Sequence, residues 1–326
     1  MESHRLTGPL GLLREAWRLY RPRWKLLSGL IFVPYAAMII AQNAALIARK
    51  AGVAQSVAID ALAAIVGIAA LISVIAAVAG SLDAIAKSAR DPGASLDAGA
   101  QYAVGFKLFW PFVWVAIIGA AVGIGSFSLL VVPYVIFFVY ASLAIVALVV
   151  DGKRGVSAFV ESFSLVRGHW WAVLGRLAAA VLAIFVAPSL IIAGIAFILQ
   201  SVAGFAAYSA LGLAVAGALR VVLMAVMYPI WLAYIYALAE SLRPLRTEGG
   251  AVAFKRWVIA LGVVGIGAIA LLVASVVAAV GSRMRTEEGP GAPTSGSPSA
   301  VSTSTVASTS TPPRVPAAHA PMIPAK

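Results

Sequence analysis

Between Lys107 and Asp151 the chain runs for over forty residues without one charged side chain. A helix of about 20 apolar residues crosses the hydrocarbon core of a bilayer, so this stretch holds two crossings. In lipid every backbone N–H and C=O must find a partner within the protein, which leaves only helices and closed barrels. A barrel would show short segments of alternating polarity, and this run is continuous. The texture extends along the chain: 62% of the 326 residues are hydrophobic and 11% are charged, against about a quarter charged in soluble domains. The sequence predicts an all-α, polytopic transmembrane helical bundle.

Seven spans are expected. The first is Leu26–Ala48 and the second Val57–Gly80, followed by a polar cytoplasmic hairpin, Ser81–Lys107, of two short helices with a turn at Asp91-Pro92-Gly93. Two more lie within Leu108–Val150, with a turn near Gly123-Ile124-Gly125-Ser126. The fifth is Trp171–Leu199, and the small-residue stretch Gln200–Gly217 reads as an external connection. Leu219–Ala239 and Trp257–Val280 complete the set. Lys and Arg accumulate in cytoplasmic loops. With the N-terminus inside, 17 of the 24 basic residues fall on the cytoplasmic side, which gives the net charge of +12 a location. The apolar run from Leu26 is too long for a signal-peptide core, so the first helix is expected to act as an uncleaved anchor. The expected organisation is an interfacial segment (1–25), a six-span membrane domain (26–246), a loop with the seventh span (247–282), and a tail (283–326). From Thr286 the tail holds thirteen Ser or Thr and eight Pro, a composition that cannot form a core and predicts disorder. The expected location is the cell membrane, the cytoplasmic membrane of a prokaryote.

Residues Leu10–Tyr20 have helical periodicity, with Leu13, Ala16, Trp17 and Tyr20 on one face and Arg14, Arg18 and Arg21 on the other. Basic and aromatic residues around an apolar stripe describe an amphipathic helix in the headgroup plane. The design recurs before the fifth span. Aligned without gaps, the segments from Glu15 and from Glu161 share Glu15/Glu161, Leu19/Leu165, Arg21/Arg167, Trp24/Trp170 and Gly29/Gly175. A weaker third copy begins at Asp97. Either a unit has been duplicated, or each helix entering from the cytoplasm meets the same interfacial demand for Arg and Trp. On both readings Arg14, Trp17, Arg18, Arg21, Trp24, Arg167 and Trp170 are candidate lipid-interface residues, facing anionic headgroups.

The segment Val149–Leu174 carries Ala158, Ser162, Phe163, Leu165, Gly168 and Trp170 or Trp171 at characteristic spacing. It resembles the membrane domain associated with glycerophosphoryl diester phosphodiesterases and related polytopic families of unknown function. Glu15-Ala16-Trp17-Arg18-Leu19-Tyr20 resembles the opening of that domain, and Pro229, Tyr234-Ile235-Tyr236 and Leu242-Arg243 its closing span. The resemblance covers roughly residues 8–246. It implies a membrane fold without an activity, because the phosphodiesterase chemistry belongs to a separate soluble barrel with acidic and His residues around a metal.

Acid–base or metal chemistry needs convergent His, Asp or Glu. The chain has 12 acidic residues, three His and no Cys. No catalytic, cofactor or metal site is expected, and His169, between Gly168 and Trp170, reads as part of an interfacial belt. Polar residues within spans are the usual pointers to function. Here they are Gln42 and Asn43, expected to hydrogen-bond across helices, with Asp60 and Arg220 conjectured to pair. Gly119-x-x-x-Gly123 and Gly265-Ile266-Gly267 lie in apolar segments and predict close helix packing. The expected function is that of a non-catalytic scaffold or accessory in envelope or lipid homeostasis. Its partners would be anionic lipid, a membrane protein or a second copy, and not nucleic acid. The alternative is a transporter of a small amphiphilic or lipid-like solute, which would need a polar cavity lined by Gln42, Asn43 or Asp60.

Overall fold

The computed structural model describes residues 7–50, 57–129, 131–203, 210–246 and 249–287. Among these the secondary structure is helical and contains no strand. The helices are α1 (Pro9–Tyr20), α2 (Trp24–Lys50), α3 (Val57–Arg90), α4 (Ala98–Leu129), α5 (Val131–Ala141), α6 (Ala144–Val149), α7 (Val156–Val166), α8 (Trp170–Val181), α9 (Ala187–Ala203), α10 (Ala210–Leu242) and α11 (Ala251–Glu287). Among the described residues, seven helical segments are long and apolar enough to cross a membrane. The protein is a multi-pass, all-α integral membrane protein.

Residues 1–275 form one compact unit and 276–326 a second, of which the described part is the end of α11. Helix α10 is the centre of the first unit. Every residue from Leu232 to Ala239 is buried, and α1, α2 and α3 pack around it. Leu27 and Leu30 of α2, Leu82 and Ile85 of α3, Leu143, Leu177 of α8 and Tyr234 of α10 share one core. A second cluster joins Val122, Phe137, Leu148 and Phe159 to Phe254 and Val258 of α11.

Several boundaries depart from expectation, each for a physical reason. Ser81–Arg90 is the last part of α3, not part of a solvated hairpin. Its Leu82, Ile85 and Ala86 recur at helical spacing and are buried, and Asp83 pairs with Lys87 one turn on at 2.5 Å. The helix stops where Asp91 precedes Pro92, since the proline ring disfavours helical geometry in the residue before it. The expected turn at Asp91-Pro92-Gly93 is present, with the Asp91 carboxylate accepting from the Gly93 N–H at 3.0 Å. Asp97 then caps α4, its carboxylate accepting from the Ala100 N–H at 2.9 Å.

The turn expected at Gly123–Ser126 is a correction of a different kind. Helix α4 runs through it unbroken, because these small residues serve a helix crossing. A Cβ on Gly125 would collide with the Leu261 carbonyl, and one on Gly265 with the Ala121 carbonyl. Gly265 thus packs closely as expected, whereas Gly119 and Gly123 meet only side chains and Gly267 meets nothing within 4 Å. A like crossing joins α3 to α4, where a Cβ on Gly105 would collide with the Ala76 carbonyl. The second half of the apolar run is divided instead, into α5 and α6, at Ser142-Leu143.

The fifth span widens to a π turn over Leu182–Val186, with the Ala187 N–H reaching back five residues to the Leu182 carbonyl. Pro188 follows. A proline ring clashes with the carbonyl four residues earlier in a regular helix, and the wider turn removes that clash. The expected connection Gln200–Gly217 is helical at both its ends, since α9 continues to Ala203 and α10 begins at Ala210. At the other end α11 extends to Glu287, five residues into the expected tail; the remainder of that tail lies outside the described residues.

Candidate functional site

The two similar segments fold alike. Helices α1 and α7 end at Tyr20 and Val166, three residues intervene, and α2 and α8 open at Trp24 and Trp170. Burial follows the same register. Leu12, Ala16, Tyr20, Leu27 and Ile31 are buried, and so are their counterparts Ala158, Ser162, Val166, Val173 and Leu177. The links differ. Arg21-Pro22-Arg23 is a 3-10 turn that continues the helical path, while Gly168 takes a positive φ of 85° and breaks it.

The motif residues of the second segment have structural tasks. Ser162, fully buried, sits where α5 gives way to α6. Its hydroxyl donates to the Tyr140 carbonyl and accepts from the Leu143 N–H at 3.2 Å, satisfying backbone groups freed by the helix break. Phe163 stacks on Phe254 of α11 with ring centres 4.2 Å apart.

Both segments begin at the same end of the bundle, where the basic segments meet. Arg176 in α8 donates to the Thr7 carbonyl at 2.8 Å. Arg23 donates to the Pro92 carbonyl at 3.2 Å and to the Ala94 carbonyl at 2.5 Å. Arg246 pairs with Glu161 at 3.0 Å. Arg243 bridges Asp151 at 2.7 Å and Glu240 at 3.0 Å. Glu15, Arg90, Tyr236, Glu240 and Arg243 line a cleft of about 440 Å³ where α1, α3 and α10 converge. Sequence reasoning missed this polar cluster. Its only local signal was the spacing of Glu240 and Arg243, three apart at a helix end.

Of the candidate interface residues, Arg14, Trp17, Arg18, Arg21 and Trp24 are all exposed. Arg18 is tied to Glu15 at 2.5 Å. Arg14 and Trp17 border an apolar groove of about 520 Å³, walled by Leu13, by Ile184 of the π turn and Pro188, and by Met227 and Ile230 of α10. Arg167 and Trp170 are half-buried. The Arg167 guanidinium lies over the Phe163 ring at 6.0 Å, and Trp170 meets Trp171 edge-on at 4.5 Å.

No protein-family model, curated protein or solved structure matches this chain. Its chemistry must be read from its own geometry.

Gln42 is exposed. Asn43 donates to the Ile39 carbonyl of its own helix at 2.8 Å, not across helices as expected; an amide four residues from a carbonyl reaches it without a neighbour. Asp60 is half-buried in the first turn of α3 and Arg220 is exposed on α10. The ion pairs of the described residues do not join them. Among the described residues, no three His, Cys, Asp or Glu side chains gather in a way that could hold a metal. His169 stands at the N-terminal cap position of α8.

Proposed function

We propose that this membrane protein is a non-catalytic scaffold or accessory of envelope or lipid homeostasis, and that its basic end holds anionic lipid headgroups. One observation carries the reading: Arg14 and Trp17 stand beside an apolar groove formed by α1, the π turn and α10. A cation and an indole next to a channel of aliphatic side chains match a phospholipid, with phosphate at the mouth and hydrocarbon within. The exposed Arg18, Arg21 and Trp24 extend that surface. The proposal includes kinship with the phosphodiesterase-associated membrane domain. It also includes an N-inside orientation in a prokaryotic cytoplasmic membrane, supported by the distribution of Lys and Arg.

The test is purification with native lipid, followed by mass spectrometry of what remains bound. Anionic phospholipid enriched over its share in the membrane is the expected result, with enrichment lost in an Arg14→Ala, Arg18→Ala, Arg21→Ala variant. A retained membrane protein without anionic lipid would replace the lipid by a protein partner. Solute movement in reconstituted vesicles, without lipid enrichment, would overturn the proposal in favour of a transporter.

A further inference from the structure

The polar cleft of about 440 Å³ between α1, α3 and α10 has no part in the lipid surface of α1. It lies on the other flank of that helix: Glu15 and Leu19 line it, while Arg14 and Trp17 border the apolar groove. Arg90, the last residue of α3, and Glu240 and Arg243, at the close of α10, complete its charged lining. Both helices belong to membrane-length segments, so the cleft stands at the level of lipid headgroups.

Its charges are not saturated by one another. Glu15 pairs with Arg18 at 2.5 Å and Glu240 with Arg243 at 3.0 Å, each through Oε1. Arg90 is exposed and takes part in none of the ion pairs of the described residues. An ionised carboxylate has about four acceptor sites. Glu15 and Glu240 can therefore take further donors, and the Arg90 fork is open to an acceptor.

The balance of signs selects the occupant. A lone anion at Arg90 would face the carboxylates of Glu15 and Glu240, and a lone cation between those would face Arg90 and Arg243. Like-charge juxtaposition of this kind rejects a ligand of either single sign. A molecule with one charge of each sign meets both demands. A primary ammonium donates hydrogen bonds to carboxylates, whereas a quaternary one is held in a cage of aromatic faces. Among the described lining residues Tyr236 alone is aromatic.

We infer that this cleft binds the headgroup of a phosphatidylethanolamine, whose phosphate accepts from Arg90 and whose ammonium donates to Glu15 and Glu240. The site goes beyond the anionic-lipid surface of α1 and does not rest on it.

The experiment uses the full chain in detergent, with phosphatidylethanolamine or phosphatidylcholine of the same acyl chains added and retained lipid counted by native mass spectrometry. Wild type should retain phosphatidylethanolamine about tenfold better, the effect of one hydrogen bond to a charged group. Glu15→Gln should shrink that preference severalfold. Arg90→Gln should lower phosphatidylethanolamine retention about tenfold with an unchanged melting temperature, since no ion pair is lost. Equal retention of the two lipids by wild type would overturn the inference, as would a preference untouched by both substitutions. Tight retention of free phosphoethanolamine, added without lipid, would make the soluble zwitterion the occupant and overturn the lipid assignment. Each of these failures leaves the α1 surface standing, because that is read from anionic lipid and from the Arg14, Arg18 and Arg21 substitutions.

Discussion

Gly125 and Gly265 bring α4 and α11 together backbone to backbone. A methyl placed on Gly125 would lie 2.8 Å from the Gly265 nitrogen, and one placed on Gly265 would lie 3.0 Å from the Gly125 nitrogen. Neither obstruction is a side chain that can rotate away. Gly125→Ala and Gly265→Ala should each destabilise the protein by about 1–3 kcal/mol, the usual cost of overpacking. Gly175→Ala, with nothing within 4 Å of the added methyl, should be neutral or stabilising by up to about 1 kcal/mol. Thermal unfolding in detergent micelles separates the two outcomes.

Ser162 joins the start of the second repeated segment to the α5–α6 break through two backbone groups. Ser162→Ala strands both in the interior and should cost about 1–3 kcal/mol. Ser164, two residues on, only donates to the carbonyl of Glu161 in its own helix at 2.7 Å. Ser164→Ala loses only that bond within its own helix and should cost less than Ser162→Ala. Equal losses in a chemical denaturation series would contradict the assignment.

Arg243 is held by two carboxylates, Asp151 and Glu240. Asp151→Ala removes one partner at a partly exposed site and should cost no more than about 1 kcal/mol. Arg243→Ala leaves both acids facing each other and should cost more. Raising the salt concentration should shrink both effects, because exposed charges are screened. A double-mutant cycle in low and high salt measures the coupling.

The absence of cysteine from the sequence makes membrane sidedness directly testable by single-cysteine labelling. Asp91→Cys, at the α3–α4 turn, should be shielded from a membrane-impermeant maleimide in intact cells and labelled after lysis. Gly281→Cys, near the end of α11, should react in intact cells. The reverse pattern would overturn the N-inside orientation.

The seven spans were legible because uncharged runs of that length have one use in a polypeptide. What escaped was the meaning of small and polar residues within or beside those runs. Gly123 to Ser126 could make a turn or a crossing, and the choice depends on Gly265, which is distant in the chain. Ser81 to Arg90 reads by polarity as a separate short helix, although Leu82, Ile85 and Ala86 keep the period of the span before it and are buried with it. The repeated segment was visible as five identities, but its common burial pattern required the fold. The polar cluster around Arg243 was hidden because its members come from α1, α3, α10 and the loop containing Asp151. Each is an ordinary helix-end charge until the ends are brought together.

Between Trp24 and Trp170 the chain makes four passes: α2, α3, α4, and α5 continued by α6. Four is even, and that parity is why both tryptophans open a helix at the same end. The two similar segments are therefore parallel, unlike repeats that face opposite ways across a membrane. A gain or loss of one pass between them would turn the second segment over and carry Arg167 and Trp170 to the opposite end of the bundle. The shared direction of the two segments is thus set by the number of intervening helices, independently of what their side chains do.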